Sequence, residues 1–500
     1  MLGSMERSSN SHQAMWVALG QFSAFAIGII SPMILSRYFT KSDYGTYKQV
    51  MYVYHTLLIV FTLGLPKAYS YFIPRVGITQ SKDIIRKITR IFLVLGAFFS
   101  VLLFFGAAVI ADMLHNPDLE LGLKWFAPTP LLMLPVMGLE GILASYKRAK
   151  HIAVFAVSTR LFTLLCTIFP VVFQNGSFVH AIIGFDIASV LTCILSFYLK
   201  YLPTRGIESQ KTDVSYKEIF SFSLPLLTSS LWIMLFQSTN QFFVSRYYGN
   251  EVFAEFSNGF MEIPIIPMVV NSIATVLAPL FAGMAVRDFS SMIDVWNSAL
   301  NKTIKIIYPI SIYCIFFSGI VMTCLYGKQY SGSAIFFSIK NLEGFYTIIP
   351  FYPILMALSR TREYSHIHMI FAMALIPIEY LIVSIGGPVY LIGVAFVACS
   401  FGKVILQFRI VSRCLKTTIG RLFPLPNMIR VAFVSSLATI LPLLMANVLK
   451  ELNEWLLLTI TVSLFIVCYY TLCWFVKISY WDVFGSIFNK NPLIKKIIPN

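Results

Sequence analysis

The chain has 500 residues, of which 57% are hydrophobic and 12% charged, with a mean hydropathy of +0.77 and a formal net charge of +16. Soluble domains carry about 25% charged residues, so this composition excludes a soluble globular protein and describes one that crosses a membrane many times. The excess of Lys and Arg then marks membrane-flanking loops and not a nucleic-acid surface, because no polar stretch is long enough to fold into a basic module.

A membrane helix needs about 20 apolar residues. By that rule fourteen spans are expected: 14–36, 45–73, 89–111, 121–146, 152–174, 178–200, 219–245, 253–283, 304–326, 332–358, 366–386, 388–409, 429–449 and 455–476. The first run has no small-residue cleavage site behind it and reads as an uncleaved span. Pro66, Pro135, Pro225, Pro264, Pro267, Pro279, Pro350 and Pro353 fall inside these stretches. Each proline removes a backbone donor and kinks or breaks its helix, leaving carbonyls for neighbours to satisfy. Such interruptions suit a transporter better than a rigid anchor. All connections are short, so no outer loop can form a domain.

Charge tests this count. With a cytoplasmic N-terminus, seven cations lie outside: Arg37, Lys41, Lys48, Lys124, Arg246, Lys328 and Lys450. Four more, Lys67, Arg160, Lys340 and Lys403, lie inside spans, which leaves 27 of the 38 (38 − 7 − 4) on the cytoplasmic side. That bias follows the positive-inside rule and places both termini in the cytoplasm. The eight cysteines form no C-x-x-C pair, so neither disulfides nor a metal site are expected. The absence of a G-x-x-x-x-G-K-[ST] loop excludes an ATP-driven pump, and no cofactor is expected.

Two phrases recur along the chain. Ser36-Arg37-Tyr38-Phe39 ends the first span and returns as Ser245-Arg246-Tyr247-Tyr248, 209 positions later (245 − 36). Ala144-Ser145-Tyr146-Lys147 ends the fourth span and Ala357-Leu358-Ser359-Arg360 the tenth, 213 positions on (360 − 147). Together they imply an all-α polytopic membrane protein of about 14 helices, with two six-helix lobes as a parallel repeat plus two C-terminal helices. The expected organisation is an N-lobe at 1–200, a cytoplasmic linker at 201–218, a C-lobe at 219–416, two further helices at 429–476 and a cytoplasmic tail at 477–500. Transporters built from such repeats bind substrate at the repeat interface.

The stretch from Ser36 through Asp43-Tyr44-Gly45 to Tyr47, together with Leu325-Tyr326-Gly327-Lys328-Gln329-Tyr330, resembles motifs of Wzx-type O-antigen and capsular polysaccharide flippases. These belong to the multidrug/oligosaccharidyl-lipid/polysaccharide exporter superfamily. The second copy departs from the pattern, with Val252, Phe253 and Ala254 where the first has Asp43, Tyr44 and Gly45. The resemblance implies transport, not enzymatic chemistry: undecaprenyl-pyrophosphate-linked oligosaccharide would pass between leaflets of the bacterial inner membrane. The implied partners are that lipid-linked glycan, membrane lipids, and a polysaccharide polymerase with other assembly proteins. A peptidoglycan lipid II flippase, or a drug/cation antiporter of the same superfamily, is an alternative. A membrane glycan polymerase or ligase fits less well, since the outer loops are short.

Ionisable groups inside a membrane are costly and therefore candidate functional residues. Lys67 follows Pro66 with no acid within a turn, and the resemblance would place its span along the substrate cleft. Arg37 and Arg246 close the two repeated phrases, as phosphate ligands or as interfacial anchors. Gln237 and Gln241 continue a polar stripe with Ser230 and Ser245, widened by Asn240; amides suit sugar hydroxyls, or glue between helices. Glu262 is a candidate for ion coupling by a proton or Na⁺. Glu140 and Arg160 lie at similar expected depth and are expected to form a structural ion pair. Lys340 and Glu343 are spaced to pair on one helix, Lys403 to reach the interface, while Asp186 and Glu379 have no partner readable from spacing.

Overall fold

The structure is a computed structural model that describes residues 2–284, 289–348 and 351–483. Among the described residues there is no strand. Among these residues twelve helices are long and apolar enough to cross a membrane, and thirteen if the bent pair Ser290–Phe316 and Ser318–Tyr326 counts as one span. The expected count was about fourteen. The difference lies in the tenth stretch, 332–358. It is divided into Ser333–Asn341, a 3₁₀ turn at Leu342–Phe345 and Phe351–Ala357, so no single piece reaches spanning length. Pro350 and the tail beyond 483 lie outside the described residues.

Several spans are broken. The second stops at Thr62, passes through Leu63 (φ 47°) and Gly64 (φ 70°), and restarts at Pro66. Proline suits a first helical position, where its missing N–H has no partner to lose. Gly64 is required twice over, because a Cβ there would also press on the Ser223 carbonyl oxygen at 2.7 Å. The fourth span breaks at Pro135 and resumes at Leu139 after Gly138 (φ 79°). Helix Tyr216–Gly259 carries a non-helical Gly249 (φ 84°), so the eighth span begins within it. That span then unwinds over residues 260–264 and continues as Ile265–Met284. Proline alone does not dictate a break: Pro170, Pro225, Pro279 and Pro377 remain inside continuous helices.

The chain divides into two compact units, Met1–Ala254 and Glu255–Asn500. Helices that begin at Leu139, Ala149 and Phe178 in the first are followed by helices that begin at Phe351, Thr361 and Tyr390. Each start recurs 212 positions later (351 − 139, 361 − 149, 390 − 178), so the internal repeat extends to the order of helices.

In the first unit, Tyr54, Phe61 and Phe99 stack within the core, with Phe61 and Phe99 parallel at 4.3 Å, and Phe126 meets Tyr54 edge-on. Helix Phe178–Tyr201 lies against helix Ala149–Gln174 so closely that a Cβ at Gly184 would collide with the Cys166 carbonyl. Small residues permit such approach where lipid supplies no hydrophobic drive between helices. In the second unit, Trp296 is fully buried among Phe281, Phe351 and Phe408, and its indole N–H donates to the Leu422 carbonyl at 2.9 Å.

Candidate functional site

In the first unit, Lys67 is exposed on the short helix Pro66–Phe72, directly after the break in the second span. Its backbone N–H donates to Gly64, and among the described residues its ammonium has no hydrogen bond or ion pair. Arg37 is also exposed. Arg246 is partly buried: its guanidinium donates to the Met113 carbonyl and lies 5.4 Å from the Tyr247 ring. His115 Nδ1 meets the Arg246 carbonyl at 3.0 Å. The neighbouring Ser245 accepts from Gln49 at 2.8 Å, and Gln49 in turn accepts from Asn116. The end of the seventh span is thus tied into a buried polar network, which favours the anchoring role of Arg246.

The polar stripe of the seventh span divides. Gln237 is exposed and Gln241 partly so, whereas Asn240 is buried and accepts from the Gln241 backbone N–H at 2.7 Å. Glu140 and Arg160 do not form the expected ion pair; both are exposed on the first unit. Equal depth is not enough for contact. The helix that carries Glu140 restarts after Gly138, and that left-handed residue resets the direction of its side chains. Asp186 accepts a hydrogen bond from Thr129.

The second unit holds a cluster of buried charges. Lys340 pairs with Glu343, one turn on, and lies 3.7 Å from Glu262, which comes from the unwound segment 260–264. The Lys340 ammonium also faces the Phe260 and Phe396 rings, 5.2 and 4.8 Å from their centroids. Such cation–π contacts strengthen as the cation loses water. Lys340 and Glu343 are each about 90% buried, while Glu262 remains 58% exposed. Lys403 lies within electrostatic reach of Glu343, Lys340 and Glu262.

Lys340, Glu343 and Glu262 line a cavity of about 180 Å³, together with Asn271, Asn341 and Thr347. Both sides of the cavity are broken helices, 260–264 and 342–348. Irregular backbone at membrane depth persists only where protein or water satisfies it, and here side chains do so. Tyr308 donates to the Phe345 carbonyl at 2.7 Å, and Thr347 to the Glu343 carbonyl at 2.8 Å. Gly344 lets this turn lie directly against Ser311. Discontinuous helices that present polar groups at mid-depth are how transporters commonly form a binding site.

The sequence profile described as "Polysaccharide biosynthesis protein" matches residues 12–285, more than half of the chain. The chain belongs to the polysaccharide biosynthesis protein family. No curated protein matches this polysaccharide biosynthesis protein by sequence. Its fold is similar to solved transporters. The lipid II flippase MurJ, in an inward closed conformation, aligns with a TM-score of 0.68 at 15% identity, over 94% of this chain and 99% of that one. A MOP superfamily transporter from Pyrococcus furiosus aligns at 0.57 and 12%, over 82% and 96%. An inward-facing multidrug resistance MATE family transporter aligns at 0.58 and 13%, over 81% and 96%. At these identities the likeness establishes the fold alone.

Of three further buried groups, Lys200 and His368 were not singled out from sequence, and Glu379 was noted only as an acid without a readable partner. Lys200, expected at the cytoplasmic edge, is fully buried, donates to the Pro135 carbonyl and lies 5.1 Å above the Tyr69 ring. The signal was Pro135 itself, which breaks its helix and leaves carbonyls in need of a donor. His368 and Glu379 lie eleven residues apart on helix Thr361–Ser384, close to one face. Both are buried, and among the described residues neither side chain has a hydrogen-bond partner. Glu379 was noticed in advance as an acid inside an apolar run, whereas nothing in the sequence around His368 set it apart.

Proposed function

We propose that this protein is a flippase that carries undecaprenyl-pyrophosphate-linked oligosaccharide, a repeat unit of O-antigen, capsule or exopolysaccharide, across the bacterial inner membrane by alternating access. Both termini are cytoplasmic in this reading. Family membership supports the polysaccharide, and the Lys340–Glu343–Glu262 cavity between two broken helices supports transport of a charged headgroup. That cavity is the observation that carries the proposal.

The chemistry follows from the charge balance. Lys340 and Lys403 face Glu343 and Glu262, so the group is neutral when both acids are ionised. Glu262 is the exchangeable member, being more than half exposed and only loosely held at 3.7 Å. A proton on Glu262 leaves a net positive site, and Lys340 can then donate to a phosphate instead. Phosphate binding and protonation of Glu262 are thus linked. On the first unit, Lys67 and Arg37 supply further cations, Arg246 is an anchored charge at the end of the seventh span, and Gln237 and Gln241 face sugar hydroxyls. Asn240 orients Gln241 through its backbone.

Purified protein in proteoliposomes tests this coupling. Translocation of a lipid-linked oligosaccharide should depend on a pH gradient in wild type and in Glu262→Asp. Glu262→Gln should lose that dependence and transport at least about tenfold more slowly, the loss of one charge-assisted contact. If Glu262→Gln responds to the gradient as wild type does, Glu262 is not the coupling residue.

A further inference from the structure

A second cavity, of about 520 Å³, lies in the first unit where the helix Ile78–Met113 begins and the helix Phe178–Tyr201 ends. Lys82, Arg86 and Arg205 line it with Tyr198 and Tyr201, and no acid is among its lining residues. Lys82 and Arg86, four residues apart, share one helical face. The nearby Asp83 is occupied elsewhere, paired with Lys87 at 2.9 Å and accepting from the Thr212 backbone. Lys82 donates once, to the Ile207 carbonyl at 3.0 Å. An ammonium has three donors, so two remain for a ligand. The positive-charge bias of the loops puts this end of the helices on the cytoplasmic side.

The same helix carries an apolar stripe away from the cavity. Ile187, Val190, Leu191, Ile194 and Tyr198 are all between 39 and 64% exposed, and their spacing keeps them on one face. From Ile187 to Tyr198 the stripe is about 16 Å long at ~1.5 Å per residue, about half of the ~30 Å hydrocarbon core. It therefore covers one leaflet. Tyr198 joins the stripe to the cavity, with an apolar ring for the chain and a hydroxyl for the headgroup.

We infer that this cavity holds the headgroup of an acidic phospholipid of the inner leaflet, with one acyl chain along the Ile187–Tyr198 stripe. Arg86 and Arg205 donate to the phosphate, Lys82 adds its remaining N–H groups, and the tyrosine hydroxyls complete the shell. A free phosphate would satisfy the cations but leave the stripe unused, which is why the lipid is the occupant. Basic pockets at the cytoplasmic ends of membrane helices recognise anionic headgroups in this way. The site is separate from the Lys340 cavity and does not depend on the transported substrate.

Native mass spectrometry of the full-length protein in detergent, after exchange with defined lipid, provides the test. Wild type should retain phosphatidylglycerol at least about tenfold better than phosphatidylcholine, and raising salt from about 0.1 to 0.5 M should narrow the difference by screening. Arg86→Gln with Arg205→Gln should reduce phosphatidylglycerol retention by about tenfold or more, while Arg86→Lys with Arg205→Lys should keep most of it. If the Gln variant fails to fold, the lysine variant and the salt titration on wild type still decide the matter. Equal retention of the two lipids, or unchanged retention in a folded Gln variant, would overturn the inference. Inorganic phosphate that displaced phosphatidylglycerol at equal concentration would also overturn it, since the acyl chain would then contribute nothing.

Discussion

Lys340→Ala is expected to abolish glycan export and to destabilise the protein at the same time. Lys340 and Glu343 are a buried pair, each about 90% removed from solvent. Deletion of one partner leaves the other as an uncompensated buried charge, which costs about 3–5 kcal/mol. Loss of export by this variant alone would therefore say little about mechanism. The informative comparison is Lys340→Met with Glu343→Leu. Apolar replacement of both partners is often neutral or stabilising, so the double variant should melt within a few degrees of wild type in detergent. It should nonetheless export no glycan, because the cation that receives the phosphate is gone. Normal surface glycan from a stable double variant would reduce the pair to a structural role. Lys340→Arg keeps the charge but adds bulk beside Phe260 and Phe396 and should retain partial export.

Lys67→Ala is expected to lower export by about 10- to 100-fold without any change in the amount of protein in the membrane. The side chain is exposed and its ammonium has no protein partner among the described residues, so its removal disturbs no packing. A charge-assisted contact to phosphate contributes about 1.5–3 kcal/mol, which sets the size of the loss. Lys67→Arg should retain much of the activity, since the charge is preserved. Surface glycan measured against membrane-protein level separates the two variants. Full export by Lys67→Ala would remove Lys67 from the substrate path and leave the phosphate to the Lys340 cavity.

The fold was largely readable because its signals are local. Apolar length located the membrane-length helices among the described residues, and the prolines at 66, 135 and 264 marked three of the breaks. The 79° bend after Phe316 and the kink at Gly249 carry no proline at the point of bending. They arise from packing around them and were not foreseen. The tenth stretch read as one span because its composition is apolar throughout, although its backbone is broken.

The site was readable only in part, and for the same physical reason. Lys340 ends one helix and Glu343 lies in the 3₁₀ turn that follows it directly, so their pairing still follows from a spacing of three. Glu262 joins them from another helix, and only because residues 260–264 unwind and carry it to the cavity. No spacing rule connects those positions. Glu140 and Arg160 illustrate the converse: matched depth on two helices fixes neither their rotation nor their distance. The partner of Arg246, the Met113 carbonyl, is a backbone atom that sequence does not distinguish from any other.

The most direct measurement is the passage of fluorescently labelled undecaprenyl-pyrophosphate oligosaccharide between leaflets of proteoliposomes that contain only this protein. Wild type should move the labelled lipid to the leaflet where an added glycan-specific lectin can bind it, and the Lys340→Met/Glu343→Leu variant should not. Wild type that leaves the labelled lipid in its original leaflet at the rate of protein-free liposomes would contradict the assignment of this protein as a lipid-linked oligosaccharide flippase.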